Sequence, residues 1–268
     1  MKNIITFIIP VRHQENAKNW QLLKKNLTQT IHSISQQDGD AWKAVIVANY
    51  GADLPALPTR FEIKWVDFHP NPMHDQGQGD RESFHEAFRI DKGRRVLAGM
   101  LHASEMGHVM VVDDDDFVSR KILPFVSRHS ERNGWYIRDG YVWGEDDHFV
   151  YKRNDFSTIC GTSHIIRADL YQLPDTIDSA TDQYIRSMLG SHLFIHQHLD
   201  ASGTPLEALP FPGAVYRVGH AGAHSQSSGV LREYFYKKSL LKRPDKFCQH
   251  VLRLRPLTAA LRSEFSVG

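Results

Sequence analysis

Short apolar runs and amphipathic segments alternate through the first half of the chain. Residues 4–9 form an apolar run closed by Pro10, which is typical of a strand buried on both faces. The next segment carries apolar residues at steps of three and four, which predicts one face of a helix: Trp20, Leu23, Leu27, Ile31 and Ile34. Residues 44–48 and 62–66 are typical of a second and a third strand. Strand, helix and strand in this order indicate a parallel sheet with right-handed crossovers.

The second half predicts shorter and more mixed elements. We expect a helix over residues 91–105, a strand over 108–112 and another helix over 119–132. Short strands are expected at 135–136, 141–143, 149–151, 164–167, 193–196 and 215–218, with a helix over 181–189. Residues 69–80 are rich in glycine, proline and polar side chains, which predicts a loop and a candidate mobile lid. The expected fold is α/β, with a mostly parallel central sheet flanked by helices and a smaller mixed half.

Composition places the chain among cytoplasmic α/β proteins. Its 268 residues, 41% of them hydrophobic, suit one large domain over 1–229 with a basic helical tail over 230–268. The net charge of +1 gives no reason to expect a nucleic-acid partner. Cys160 and Cys248 lie far apart and form no CxxC pair, which argues against a thiolate zinc site and fits a reducing compartment. No stretch approaches the roughly 18 apolar residues that span a bilayer.

The strongest chemical feature is a run of four aspartates, residues 113–116, directly after the apolar residues 109–112. Ligands of open α/β sheets bind beyond the carboxyl ends of the strands. In an extended chain Asp113 and Asp115 would point one way and Asp114 and Asp116 the other, with same-side neighbours about 6–7 Å apart. Such a pair can hold a divalent cation and a diphosphate, and the cation would relieve the repulsion among the carboxylates. A solvated acidic turn is the alternative interpretation.

Several motifs, in this order, resemble the family-2 glycosyltransferases and their GT-A relatives. Residues 9–12 (IPVR) match a proline-containing turn of that family, which implies that Pro10, Val11 and Arg12 contact the nucleotide. Asn49 stands where the family usually has an aspartate for the base or ribose. Residues 91–95 (DKGRR) match a basic element before the metal strand, which implies that Lys92 and Arg94 lie beside the diphosphate.

The resemblance also assigns the metal and the base. The Asp-x-Asp motif of the family falls on residues 113–115, which implies that Asp113 faces the ribose or the metal, that Asp114 contacts the donor and that Asp115 holds the metal. Residues 216–225 resemble the segment that supplies a metal-binding histidine, with one extra residue, so His220 is favoured over His224. Residues 181–189 resemble the Glu-Asp element, which puts Asp182 in the place of the catalytic base. A first-turn helix acid is the alternative role for Asp182.

The implied activity is transfer of a sugar from a nucleoside diphosphate sugar, with a UDP-sugar favoured, to a hydroxyl of a glycan or lipid-linked glycan. The resemblance implies Mn²⁺ or Mg²⁺ as cofactor, a role in bacterial surface glycans and inversion at the anomeric carbon. Three alternatives stay open: a retaining transferase, a sugar nucleotidyltransferase and a non-catalytic sugar- or metal-binding domain. The turn after the first strand, PVRHQEN, lacks the glycines that nucleotidyltransferases often carry there.

The C-terminal tail is strongly basic. Residues 232–262 contain nine Lys or Arg against two acidic residues, interleaved with aromatic residues and leucines. This pattern suits an anionic membrane surface, where each basic residue contributes about 1 kcal/mol. We therefore expect possible peripheral contact with the inner face of the cell membrane. A helix packed against the domain is the alternative.

Overall fold

The structure, a computed structural model, describes residues 3–73, 80–103, 105–145, 147–219, 230, 234 and 244–267. Its strands are β1 (Asn3–Pro10), β2 (Trp42–Asn49), β3 (Phe61–Val66), β4 (Met106–Val111), β5 (Phe117–Val118), β6 (Gly134–Tyr136), β7 (Gly140–Gly144), β8 (Phe149–Arg153), β9 (His164–Arg167), β10 (Glu207–Ala208), β11 (Ala214–Val218) and β12 (Leu254–Pro256). Its α-helices are α1 (Trp20–Ser35), α2 (Arg81–His102), α3 (Ile122–Arg128), α4 (Asp182–Tyr184), α5 (His192–Ala201), α6 (Pro244–Arg253) and α7 (Ala259–Phe265). A π-helical turn, Ile185–Leu189, continues α4.

The central sheet has seven strands in the order β10-β6-β9-β4-β1-β2-β3. Strands β3, β2, β1 and β4 run parallel, and β9 is antiparallel to both of its neighbours, β4 and β6. A five-stranded mixed sheet, β12-β8-β7-β11-β5, forms the smaller half. The predicted α/β class, with a mostly parallel sheet and a mixed second half, is confirmed.

Helices cover both faces of the parallel strands. The apolar stripe of α1 packs on one face, where Leu27 and Ile34 meet Phe7 and Ile9. Helix α2 packs on the other face through Val96 and its neighbours. Every residue of β2 is buried, as expected for a strand covered on both sides. Each such apolar side chain contributes about 1.5–3 kcal/mol by leaving water.

The helix predicted over 119–132 spans only Ile122–Arg128, and two other predicted elements differ more from the structure. Helix α2 begins at Arg81, ten residues before the predicted start, because Asp80 caps it by accepting from the backbone N–H groups of Glu82 and Ser83. The predicted strand over residues 193–196 is wrong, since these residues lie in α5. Ile195 and Leu199, four residues apart, are buried on one face of that helix.

The end of the chain packs against the second sheet. Strand β12 pairs with β8, and Phe265 and Val267 are buried beside Trp143. The middle of the basic tail, residues 231–233 and 235–243, lies outside the described residues, as do residues 74–79 of the predicted lid. No described helix is both long and apolar enough to cross a membrane.

Candidate functional site

The aspartate run forms a turn at the carboxyl end of β4. The strand ends at Val111, and the backbone N–H of Asp116 donates to the carbonyl of Asp113 at 3.2 Å. The expectation of an extended run with alternating side chains is therefore wrong. Asp113, Asp114 and Asp115 all line one cavity, whereas Asp116 is 0% exposed. The turn lines the cavity with three carboxylates and buries the fourth in the domain.

The inward carboxylate anchors the site. Asp116 accepts hydrogen bonds from the backbone N–H of Arg217 and from the thiol of Cys160, both at 3.2 Å. Burial raises the pKa of Asp116 well above its ordinary value, and the carboxylates of Asp115 and Asp113 add to the effect. These contacts tie the turn to β11 and to the loop before β9. Asp116 is thus a structural member of the run.

The cavity has a volume of about 320 Å³ and lies at the carboxyl ends of β1 and β4. Helix α2 and the start of α5 form its other walls. The structure brings six of the residues predicted from the sequence into its lining: Pro10, Arg12, Lys92, Asp113, Asp114 and Asp115. The predicted clustering of the motifs after β1, in α2 and after β4 is what the structure shows.

An ion pair joins the two walls of the cavity. The ammonium group of Lys92 donates to a carboxylate oxygen of Asp113. Burial acts to lower the pKa of Lys92, but attraction to Asp113 and the hydrogen bond to it more than offset this, so that pKa is raised. Gly161 leaves room for the pair, since a Cβ there would lie 2.8 Å from both Lys92 Nζ and Asp113 Oδ2.

A buried guanidinium supports one wall of the cavity. Arg95, 1% exposed, binds both carboxylate oxygens of Asp91 at 3.0 and 3.1 Å and donates to Asn49 Oδ1 at 2.7 Å. Asn49 in turn donates to the carbonyl of Phe68 at 2.6 Å. Asn49 does not line the cavity, and its described contacts hold Arg95 in place. Val11 is fully buried in the core beside it.

Lys92 lies in the interior of α2, where the sequence predicted a helix start. Arg94 and Asp182, predicted as a diphosphate contact and the base, lie outside the cavity lining. Arg94 donates to Asp182 at 3.1 Å, and the Asp182 side chain is 63% exposed. Asp182 occupies the first turn of α4, which Thr181 caps by accepting from the backbone N–H of Tyr184. His220 and His224 lie outside the described residues.

Sequence reasoning missed the histidines of the cavity. His164 and His192 line it, with ring centroids 6.2 Å apart. His164 is held at both nitrogens, by Ser163 Oγ at 3.0 Å and by His196 Nδ1 at 3.2 Å. Burial lowers the pKa of His164 well below its ordinary value, and burial, aided by the Lys92 ammonium, lowers the pKa of His192 to about 4. The i, i+4 spacing of His192 and His196 could have signalled one helix face.

Arg217 was also missed. Its side chain is fully buried beneath the cavity, stacked 4.6 Å from the Phe117 ring centroid, and one of its terminal nitrogens donates to Asn26 Oδ1. Among the described residues its Nε and Nη2 atoms have no hydrogen-bond partner. Burial lowers the pKa of Arg217, while nearby carboxylates, Asp115 first, oppose the shift.

The cavity contains side chains that could bind a divalent cation. The described residues contain no group of three His, Cys, Asp or Glu side chains placed to hold a metal. Asp113 and Asp115 nevertheless offer carboxylate oxygens to the same cavity. Mg²⁺ is often bound by one or two carboxylates with substrate phosphates completing its coordination. The residues present fit that mode of binding.

Solved structures resemble this chain where sequences do not. No family model and no curated protein sequence matches it. In all, 84 chains of solved structures do. A crystal structure of S. aureus TarS 1-349 aligns over 81% of this chain and 60% of its own length, at 14% identity and a TM-score of 0.39. Rv0371C of Mycobacterium tuberculosis H37Rv, crystallised with manganese, aligns over 81% and 92%, at 10% identity and a TM-score of 0.35.

The fold is α/β with a mostly parallel central sheet, the class that the sequence predicted. Its parallel strands and the acidic turn after β4 agree with the arrangement that the sequence motifs predicted. This chain spans 60% of TarS 1-349 and 37% of the longer TarS structure. Likenesses of this strength carry no argument about activity, so the function must be argued from the residues of the cavity.

Proposed function

We propose that this protein is a metal-dependent glycosyltransferase that uses a nucleoside diphosphate sugar, with a UDP-sugar favoured. The observation that carries the proposal is the acidic turn. Asp113, Asp114 and Asp115 share a cavity with Arg12 and Lys92 at the carboxyl end of a central strand. Ligands of open α/β sheets bind at this position.

The charge of the cavity suits a diphosphate. Its lining contains five Lys or Arg side chains against four carboxylates. The cationic residues are Arg12, Arg89, Lys92, Arg95 and Arg217, and the acidic ones are Asp91, Asp113, Asp114 and Asp115. A divalent cation on the carboxylates would make the site strongly cationic, and phosphate oxygens accept charge-assisted hydrogen bonds from such groups. The arrangement therefore supports an anionic ligand carried together with a metal.

The metal would be Mn²⁺ or Mg²⁺, held by Asp113 and Asp115, with His220 as the proposed histidine ligand. When bound, it supplies positive charge beside the leaving diphosphate. Lys92 already pairs with Asp113, so its ammonium is placed to share the same phosphate charge. Arg12, 3.9 Å from Asp114, is placed to act on the nucleotide side.

The remaining assignments extend the proposal to both substrates. Pro10 and Arg12 would form the nucleoside side, with Asn49 acting through Arg95 and Val11 only as buried packing behind the turn. The acceptor would be a hydroxyl of a glycan or lipid-linked glycan, and the product inverted. The sequence resemblance implies Asp182 as the base. Its exposed carboxylate pairs with Arg94 outside the cavity lining.

Release of nucleoside diphosphate tests the proposal. Purified protein is incubated with UDP-glucose, UDP-galactose, UDP-N-acetylglucosamine or GDP-mannose, with Mn²⁺, Mg²⁺ or EDTA. A glycosyltransferase releases UDP or GDP from one donor and only with metal. A nucleotidyltransferase instead releases pyrophosphate from a sugar phosphate and a nucleoside triphosphate. A binding domain raises its melting temperature with a donor but releases neither product.

A further inference from the structure

The start of α5 places a histidine in the wall of the cavity that carries the Lys92–Asp113 pair. The π-helical turn ends at Gly190, where a Cβ would lie 2.7 Å from the carbonyl oxygen of Arg89 in α2. This close approach holds the α4–α5 connection against α2, one helical turn from Lys92. Ser191 and His192 therefore join the cavity lining next to the Lys92–Asp113 pair.

The His192 ring has an unused polar atom. Its Nε2 is buried and has no hydrogen-bond partner among the described residues. Buried polar atoms are nearly always paired, so an orphan in a cavity wall calls for a ligand group. Nε2 is shielded from water, so a substrate would meet it by rotation of the ring about χ2, a torsion with a broad range.

Other groups of the cavity wall are already engaged. His164 is hydrogen-bonded at both nitrogens, and both oxygens of Asp91 accept from Arg95. Asp113 accepts from Lys92. Asp182 does not line the cavity and pairs with Arg94. Of these candidate proton acceptors, His192 is the one with a ring nitrogen, Nε2, that has no hydrogen-bond partner among the described residues.

We propose that His192, rather than Asp182, accepts the proton of the attacking hydroxyl. The inference rests on the proposed glycosyl transfer. The O–H bond of the acceptor breaks and its proton goes to Nε2. The acceptor oxygen bonds to the anomeric carbon, and the bond from that carbon to the phosphate oxygen breaks with its electron pair on the diphosphate. Water can replace the acceptor, which gives free sugar and nucleoside diphosphate.

The acid–base character of His192 fits this role. A neutral ring carries a lone pair, and a pKa of about 4 makes it as basic as an ordinary carboxylate, the usual protein base of similar strength. A bound diphosphate adds negative charge beside the ring and makes it more basic. The Lys92–Asp113 pair faces the ring from α2 and the acidic turn, and His164 faces it from β9.

The test compares His192→Gln with Asp182→Asn in the full chain. Glutamine retains hydrogen bonding but cannot take the proton. UDP or GDP release is measured with water and with p-nitrophenyl glycosides as acceptors. We expect His192→Gln to lower kcat about 10²- to 10⁴-fold, the usual effect of losing a general base, with an unchanged Kd for UDP plus Mn²⁺. Asp182→Asn removes the competing base and should lower kcat much less than His192→Gln does. His198→Gln, an exposed histidine of the same helix, is the matched control.

Chemical rescue separates chemistry from folding. His192→Ala opens space in the cavity wall, and added imidazole should restore release, whereas a purely structural loss would not respond. A large loss in Asp182→Asn with little loss in His192→Gln overturns the inference and leaves the proposed transferase intact. Absence of rescue also overturns it. If the wild type releases no nucleoside diphosphate from any donor, the proposed function fails and the role of His192 falls with it.

Discussion

Gly161→Ala should damage the site while sparing the fold. The new Cβ would lie 2.8 Å from Lys92 Nζ and from Asp113 Oδ2, whereas ordinary contacts begin near about 3.5 Å. Each group must therefore move by about 0.7 Å. Both atoms are ends of side chains that can shift, and Gly161 has no positive φ, so alanine fits its backbone. We expect a change in the free energy of unfolding within about 1 kcal/mol.

The catalytic effect should be much larger. Displacement of catalytic groups by about 1 Å can cost about 10² in rate, equal to about 2.7 kcal/mol of activation free energy. Nucleoside diphosphate release under saturating donor and Mn²⁺ measures it, and urea unfolding measures stability. The turnover and the stability are both compared with those of Gly140→Ala. Its new Cβ would crowd the buried ring of Phe156, which does not line the cavity, and cost about 1–3 kcal/mol of stability.

Gly161→Ala and Gly140→Ala are expected to differ in which property they lose, turnover or stability. Normal turnover in Gly161→Ala would show that the Lys92–Asp113 pair does not bear on the reaction. A stability loss as large as that of Gly140→Ala would show that Gly161 serves the fold. Low turnover at nearly normal stability is the expected result.

Three further predictions follow from the described residues. Asp115→Ala should abolish transfer while the protein stays folded, because the residue lies in a surface turn, and full activity in excess EDTA would contradict this. The free energy of unfolding of the wild type should fall as the pH drops from about 6.5 to 4. In His192→Gln the slope of this fall should be smaller by about 1.4 kcal/mol per pH unit. The reason is that the unfolded chain binds the proton that folded His192 excludes, and equal slopes in urea titrations would refute it. Leu252→Glu, at a residue 70% exposed on α6, should weaken co-sedimentation with anionic vesicles, and equal binding would remove the membrane proposal.

The vesicle test uses a point variant for a structural reason. A chain cut after Gly229 would lose Phe265 and Val267, which are buried in the second core. It would also lose β12, which pairs with β8. Loss of vesicle binding in a truncated chain could then reflect damage to the domain. Leu252 contributes no such burial, so its replacement reports on the surface of α6 alone.

Periodicity revealed the parallel half of the fold because burial there follows simple rules. Strands β1 and β2 are covered on both faces, so their apolar runs are continuous and bounded by polar loops. Helix α1 shows a clear apolar stripe for the same reason. Helix α2 was misplaced at its start because its first turns, residues 81–87, are mostly polar apart from Phe84 and depend on the Asp80 cap. In α5, three successive apolar residues resembled a buried strand.

The candidate site was predictable only as far as its motifs were local. The positions of Arg12 and the acidic turn follow from strand ends meeting at one edge of a sheet, and Lys92 reaches them from α2. His192 has no motif of its own, since it reaches the cavity through the close packing of Gly190 on α2. Arg217 comes from a strand of the second sheet, and its burial beneath the site depends on contacts across the whole domain.

Four identical aspartates cannot be told apart by sequence, and the turn gives them different chemistry. Asp116 is sealed behind the run, where a raised pKa favours its protonated form and where it receives hydrogen bonds from Arg217 and Cys160. Asp113 stays balanced by Lys92, and Asp114 lies near Arg12. The turn thus divides one acidic run into an anchor and a charged wall. Because the anchor also fixes Arg217 and the loop of Gly161, a change at Asp116 should disturb folding before it disturbs the chemistry of the wall.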